Sequence, residues 1–122
     1  MPHLSDLLGS LTGANLNSTA DQAIPIAAAK YIVRRIVVTN ASGTPTLAAG
    51  GIYPAAAKAG TALVAAGQLY TALSATTISL DLTLTGAVTT TVLAAASLFL
   101  SLTTANGSAL TADVYVFGDA LS

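Results

Sequence analysis

Between Thr76 and Gly86 the side chains alternate without a break. Ile78, Leu80, Leu82 and Leu84 are separated by Thr77, Ser79, Asp81, Thr83 and Thr85. Only an extended strand has a side-chain period of two, so this run predicts a strand with one dry and one wet face. The same period returns where Leu98, Leu100 and Leu102 alternate with Phe99, Ser101 and Thr103. It returns again in TADVYVFGD, with Val114 and Val116 on one face and Tyr115 and Phe117 on the other. A chain carrying this pattern three times has to build sheets and close them over a shared core.

The rest of the chain supplies further strands and the turns between them. Gln22 to Ile26 reads as a strand limited to an edge or an end by Pro25. Residues 31 to 40, YIVRRIVVTN, are the densest β-branched run. Unbroken alternation puts Tyr31, Val33, Arg35, Val37 and Thr39 on one face and Ile32, Arg34, Ile36, Val38 and Asn40 on the other. Both faces are then mainly apolar, and the second face needs a cover: a loop, the N-terminal segment or a neighbouring copy. Thr46 to Tyr53 and Thr61 to Ala65 are expected as strands flanking an Ala/Gly-rich loop, and Gln68 to Leu73 as a short strand or a single helical turn. Asn106-Gly107 is a strong turn signal. About eight short strands with turns between them predict an all-β, single-domain sandwich, jelly-roll-like, over residues 21–122.

Residues 1–20 read differently, as a short N-terminal arm. Ser5 is placed to cap a short helix with Leu7, Leu8 and Leu11 on one side, although Gly9 and Gly13 weaken it. Such a segment is expected to be dispensable for folding and to act by lying over a neighbour. The start MPHLSDLLGSLTG has an acid and no sustained apolar run, so no signal peptide is expected. No stretch is long and apolar enough for a transmembrane helix, and the few aromatic residues argue against the girdles of a membrane barrel.

Charge narrows the function classes. Charged residues are 7% of the chain, against roughly 25% in an ordinary domain. The bases are Lys30, Arg34, Arg35 and Lys58, the acids are five Asp, and the formal net charge is -1. A concentrated basic surface for nucleic acid is missing, and copies of the chain repel one another only weakly. No Cys is present, so disulfides and thiolate metal sites are excluded.

Catalytic and metal chemistry find few candidates. His3 is the only histidine and lies in the arm, where it reads as a tail residue rather than part of a triad or metal cluster. Asp113 and Asp119 share a face by their even spacing, but their position at the strand ends favours solvation over ion binding. Arg34 and Arg35, as neighbours, are expected on opposite sides of the sheet, one paired with Asp81 or Asp113 and the other laid over apolar surface. No enzyme site, cofactor or metal is expected. The candidate interaction residues are Leu7, Leu8, Leu11, Arg34, Ile36 and Val38.

Four segments carry a resemblance. STADQAIPI, AKYIVRRIVVTNAS, GGIYPAAAKAGTALVAAGQLYTAL and LFLSLTTANGSALTADVYVFGD, in that order, look like small structural proteins of tailed bacteriophages and prophages. Among these the chain is similar to head decoration, or cement, proteins, which sit as oligomers on the capsid lattice. The resemblance implies a virion protein with no catalytic residues. It also implies a homo-oligomer, with a trimer favoured, and the major capsid protein or other virion proteins as partners. The alternative from another class is a receptor- or carbohydrate-binding β module of a fibre or tail, drawing on Tyr31, Tyr53, Tyr70 or Tyr115.

The alternation itself makes a physical prediction. Ile78, Leu80, Leu82, Leu84, Leu98, Leu100, Leu102, Val114 and Val116 share one core, and Leu82→Ala costs about 2–5 kcal/mol in equilibrium urea unfolding. A cost below about 0.5 kcal/mol in a protein that still folds would rule out this register.

Overall fold

The computed structural model describes residues 6–74, 78–85 and 91–121. Seven strands run in chain order: β1 Asp6–Asn15, β2 Gln22–Pro25, β3 Tyr31–Thr39, β4 Ala49–Tyr53, β5 Ser79–Asp81, β6 Ser97–Thr104 and β7 Thr111–Ala120. They form two sheets, a four-stranded one in the order β1-β7-β3-β5 and a three-stranded one in the order β2-β6-β4. Every pairing within them is antiparallel. The chain is an all-β, two-sheet, sandwich-like fold, with its core between the sheets.

The strands with uninterrupted alternation behave as their sequence predicts. In β7, Ala112, Val114, Val116 and Gly118 are buried while Asp113, Tyr115, Phe117 and Asp119 are half-exposed. In β6, Leu98, Leu100 and Leu102 are fully buried. They meet Val114, Val116 and Leu82 in one cluster, with Leu80 and Leu84 packed against it. Ile78 departs from the expectation, being 69% exposed. Leu80 stands opposite Val38, the last buried residue of β3, so Ile78 falls past the end of the core, where β3 turns away at Asn40 (φ 56°).

Strand β3 breaks the alternation. Its register against β7 runs Val33 to Gly118 and then Arg35 to Phe117, which leaves Arg34 as the extra residue of a β-bulge. The bulge shifts the phase by one residue. Tyr31 and Val33 before it and Ile36 and Val38 after it all face inward, each 0% exposed. The expected two apolar faces are therefore one apolar face. Both arginines are exposed, rather than being divided between the two sides.

The N-terminal segment is also corrected. Residues 6–15 form a strand, not a helix, and pair with β7 along its length, from Asp6 opposite Gly118 to Asn15 opposite Thr111. Two irregularities, between Leu7 and Gly9 and between Leu11 and Ala14, rephase the strand so that Leu8 and Ala14 both reach the core. Leu16 follows them there, 0% exposed. Gly118 is crowded from both neighbouring strands: a Cβ there would lie 2.0 Å from the Ile32 carbonyl oxygen of β3 and 2.9 Å from Leu8 Cδ1 of β1. The segment cannot be a detachable arm when three of its side chains fill the interior.

Isolated bridges join the two sheets at both margins. On one side Gly9 of β1 bridges Ile26, next to β2. On the other, Leu84 bridges Val64, and Val64 bridges Ile52 of β4. The expected strand 61–65 is thus present as this narrow link, and Leu69 makes a single bridge to Ala49 before a turn closed by the Leu73 amide on the Tyr70 carbonyl. Backbone pairing thus links the two sheets at a point on each margin, which covers part of the strand edges. The Ala/Gly-rich stretch lies against the outer side of the smaller sheet. A Cβ on Gly51 would come within 2.2 Å of the Val64 carbonyl oxygen.

Removing residues 1–16 should therefore abolish folding, not merely association. The truncated chain is expected to lose its cooperative thermal transition in circular dichroism. A truncated protein that kept a sharp transition within a few degrees of the full chain would show that Leu8, Ala14 and Leu16 are not part of the core.

Candidate functional site

Among the described residues, the outer face of the four-stranded sheet carries apolar side chains that stay in reach of water. Register places its side chains. Phe117 in β7 stands between Leu7 of β1 and Arg35 of β3. Tyr115 stands between Ser10 and Val37, and Val37 in turn faces Asp81 of β5. Ile32 lies opposite Asp119 at one end of the sheet and Thr39 opposite Asp113 at the other. Leu7 is 56% exposed, and Ile32, Val37, Tyr115 and Phe117 are half-exposed. The centre is aromatic and aliphatic, and charges lie around it.

Four of those charges are paired within the face. Arg34 Nε and Nη2 both reach Asp119 Oδ2 at 2.9 Å. Arg35 Nε donates to Asp81 Oδ1 at 2.7 Å, and the hydrogen bond and charge of Asp81 hold the Arg35 guanidinium above its usual pKa. Both pairs are solvent-exposed enough to contribute little to stability. Their effect is on the surface: they neutralise four charges in place and leave Asp113, held by the neutral donors of Gly13 and Asn40, as the remaining charge of the face. Arg35 thus takes Asp81, one of the two partners expected for it, and Arg34 is ion-paired instead of being laid over apolar surface.

Asp113 and Asp119 do share a face, but they do different things. Asp113 accepts from the Gly13 amide at 2.8 Å and from Asn40 Nδ2 at 3.0 Å, and so holds two backbone positions at positive φ. Asp119 is engaged by Arg34. Six residues of extended chain, roughly 20 Å, separate them, and they form no joint ion site. Among the described residues no group of three or more His, Cys, Asp or Glu is arranged to hold a metal. His3 lies outside the described residues. No helix among them is long and apolar enough to cross a membrane.

The candidate interaction residues divide into two sets. Leu7 and Arg34 are exposed, and Leu11 is half-buried against the core. Leu8, Ile36 and Val38 are inside the chain's own core and correct the expectation that they meet a partner. The bulge moves Ile36 and Val38 inward and brings Val37 out. Adjacent arginines within an apolar strand are the signal for it, since only a bulge keeps both in water on one face.

One polar cluster had no forewarning in the sequence. Asp21 accepts from the Ser101 hydroxyl and from the Ala57 amide, both at 2.7 Å, and these bonds, with Lys58 nearby, hold its carboxyl below the usual range. Ala57 and Lys58 sit at φ 62° and 57°, a left-handed pair that ordinary L-residues adopt at a cost. Asp21 anchors this turn over β6 and buries Ser101.

The tyrosines are mostly structural. Tyr31, Tyr53 and Tyr70 are buried, and only Tyr115 reaches the surface. The Tyr31 hydroxyl donates to the Ala95 carbonyl at 2.7 Å and Tyr70 to that of Gly50 at 3.1 Å. Burial pushes Tyr31 up to about 12, and Tyr70 upward as well. No protein-family model, no curated protein and no solved structure matches the chain.

The raised tyrosines give a signed pH dependence. An unfolded tyrosine loses its proton from about pH 10, while buried Tyr31 keeps it. The unfolded state then binds fewer protons, so stability is intact below about pH 10 and falls as pH rises beyond it. Urea midpoints between about pH 9 and about pH 11 should fall more steeply for the wild type than for Tyr31→Phe. Equal slopes would mean that Tyr31 ionises without unfolding.

Proposed function

We propose that this chain is a structural component of a virus particle, a jelly-roll domain that self-assembles and docks on the protein shell. In this it follows the tailed-phage head decoration proteins that its sequence resembles. The observation that carries the reading is strand order. When the segment at Val64 is counted between β4 and β5, the sheets read 1-8-3-6 and 2-7-4-5. Counted in this way the order matches a jelly roll of two Greek keys, an architecture found in viral capsid domains and also in lectins, and it supports the reading together with the resemblance. The charge-neutralised, aromatic-centred outer face is the surface through which such a domain would meet its neighbours. The buried Tyr31, Tyr53 and Tyr70 leave a glycan platform only Tyr115 and the half-exposed Phe99 and Phe117, which favours assembly over carbohydrate recognition.

The reading places the protein in the virion, as a homo-oligomer bound to the major capsid protein or another virion protein, with no cofactor and no reaction. A trimer follows from the resemblance alone.

Val37 separates assembly from folding. Val37→Asp puts a charge at the centre of the outer face and should leave the far-ultraviolet circular dichroism unchanged while weakening self-association by roughly a hundredfold or more. Val38→Asp, one residue along, buries the charge in the core and should prevent folding. Light scattering reads the difference. A wild type that is monomeric at high micromolar concentration, or an unchanged molar mass for folded Val37→Asp, would overturn self-assembly through this face.

A further inference from the structure

The turn between β6 and β7 contains the Asn-Gly pair that the sequence marks as a turn, and its surroundings are unusual for such a dipeptide. Asn106 is 3% exposed. Its Oδ1 accepts from the Thr46 amide at 2.8 Å and the Leu47 amide at 3.2 Å. Its Nδ2 faces the Ser108 carbonyl and hydroxyl, each at 3.3 Å. Its own amide donates to the Leu16 carbonyl at 2.9 Å, just beyond β1. The Gly107 amide donates to Asn17 Oδ1 at 2.8 Å, and the Asn17 amide is in turn held by Asn15 Oδ1 at 2.9 Å.

Asn-Gly is chemically labile because glycine offers no side chain to hinder attack on the neighbouring carboxamide. The Gly107 nitrogen, once its proton has gone to solvent base, attacks Asn106 Cγ. The N–Cγ bond forms, the Cγ–Nδ2 bond breaks, and ammonia leaves with a proton from water. A water molecule then opens the five-membered imide to aspartate or isoaspartate, and no oxidant or reductant is involved.

We infer that Asn106-Gly107 is a deamidation site that the fold holds shut, so that a chain which opens at this turn is marked covalently. The electron pair that attacks lies where the N–H bond was, and in the folded chain that bond points at Asn17 Oδ1 instead of at Asn106 Cγ. The carboxamide is clamped at both ends and shielded from the water that completes the reaction. The two amides on Asn106 Oδ1 also have a second property. They are aimed at the atom on which negative charge develops during the attack, as oxyanion-stabilising donors are. The electrophile is therefore activated by Thr46 and Leu47, and Asn17, which holds the nucleophile away, is the guard.

Reaction would not be silent. The acid product has no donor for the Ser108 oxygens. Isoaspartate also lengthens the main chain by one carbon, which carries the Gly107 amide away from Asn17. The Asn106 amide that donates to the Leu16 carbonyl is unaltered, but the turn beyond it does not close again in the same way.

Peptide mapping after incubation at mildly alkaline pH tests this, by following conversion of the Asn106 amide to acid in three samples. These are the folded wild type, folded Asn17→Ala and a peptide spanning residues 103–110. The wild type should react roughly a hundredfold more slowly than the peptide, as expected where reaction requires local opening. Asn17→Ala should approach the peptide's rate while its thermal transition stays cooperative. A wild type as fast as the peptide, or a folded Asn17→Ala as slow as the wild type, would overturn the inference. Should Asn17→Ala not fold, the wild type in sub-denaturing urea decides. Deamidation must rise in step with hydrogen exchange at the Gly107 amide, and a rate indifferent to urea counts against the guard.

Discussion

The extra residue at Arg34 sets the phase of the central strand, and most of the structure depends on that phase. A strand has one register in which its apolar side chains face inward, and a shift of one residue turns every side chain over. Without the bulge, Tyr31 and Val33 would face the core while Ile36 and Val38 faced water, or the reverse. With it, all four enter the same interior. The residue that makes the correction also carries a charge, and with Arg35 it occupies the wet side next to Asp119 and Asp81. One local irregularity thus completes the core and neutralises the surface above it.

The parts of the fold that were legible in the sequence are those where backbone regularity is unbroken. In β6 and β7 nothing interrupts the period of two, so Leu98, Leu100, Leu102, Val114 and Val116 could be assigned to the core directly, and Tyr115 and Phe117 to the outer face. Where a strand slips, the pattern stops being readable. β1 is rephased twice, so its leucines fit neither a helix nor a strand and suggested a loose arm. β3 is rephased once, so its single dry face looked like two. The Ala/Gly-rich stretch carries no pattern at all. Its role follows from close backbone approach over Gly51, which small residues permit but do not announce. Of the candidate surface, the β7 half was legible and the β3 half was not, because Val37 and Val38 exchange places across the bulge.

The two outer faces of the molecule are treated differently. Over the smaller sheet the chain folds its own Ala/Gly-rich loop, tied down by Asp21 through Ser101 and the Ala57 amide. Over the larger sheet no comparable loop lies among the described residues, and Leu7, Ile32, Val37, Tyr115 and Phe117 stay in reach of water. A chain with so few charges has limited means of keeping such a face dispersed, and the paired arginines remove even those nearby. This asymmetry leaves the larger sheet as the more apolar of the two outer faces in reach of water. At the sheet margins, single bridges from Gly9 to Ile26 and from Leu84 to Val64 occupy part of the strand edges.

The pairing of the first and last strands has a mechanical consequence. Asp6 lies opposite Gly118 and Asn15 opposite Thr111, so the first and last strands run antiparallel, with Asp6 and Gly118 together at one pole of the pair. Tension applied between them would load the β1–β7 hydrogen bonds singly, from Asp6 inward, and peel them like a zip. Bonds loaded one at a time yield at far lower force than bonds sheared together. A load delivered across the broad faces instead presses the two sheets onto their shared interior, where many contacts resist at once. The β1–β7 pair is therefore weaker under tension applied at Asp6 and Gly118 than the packed sheets are under compression.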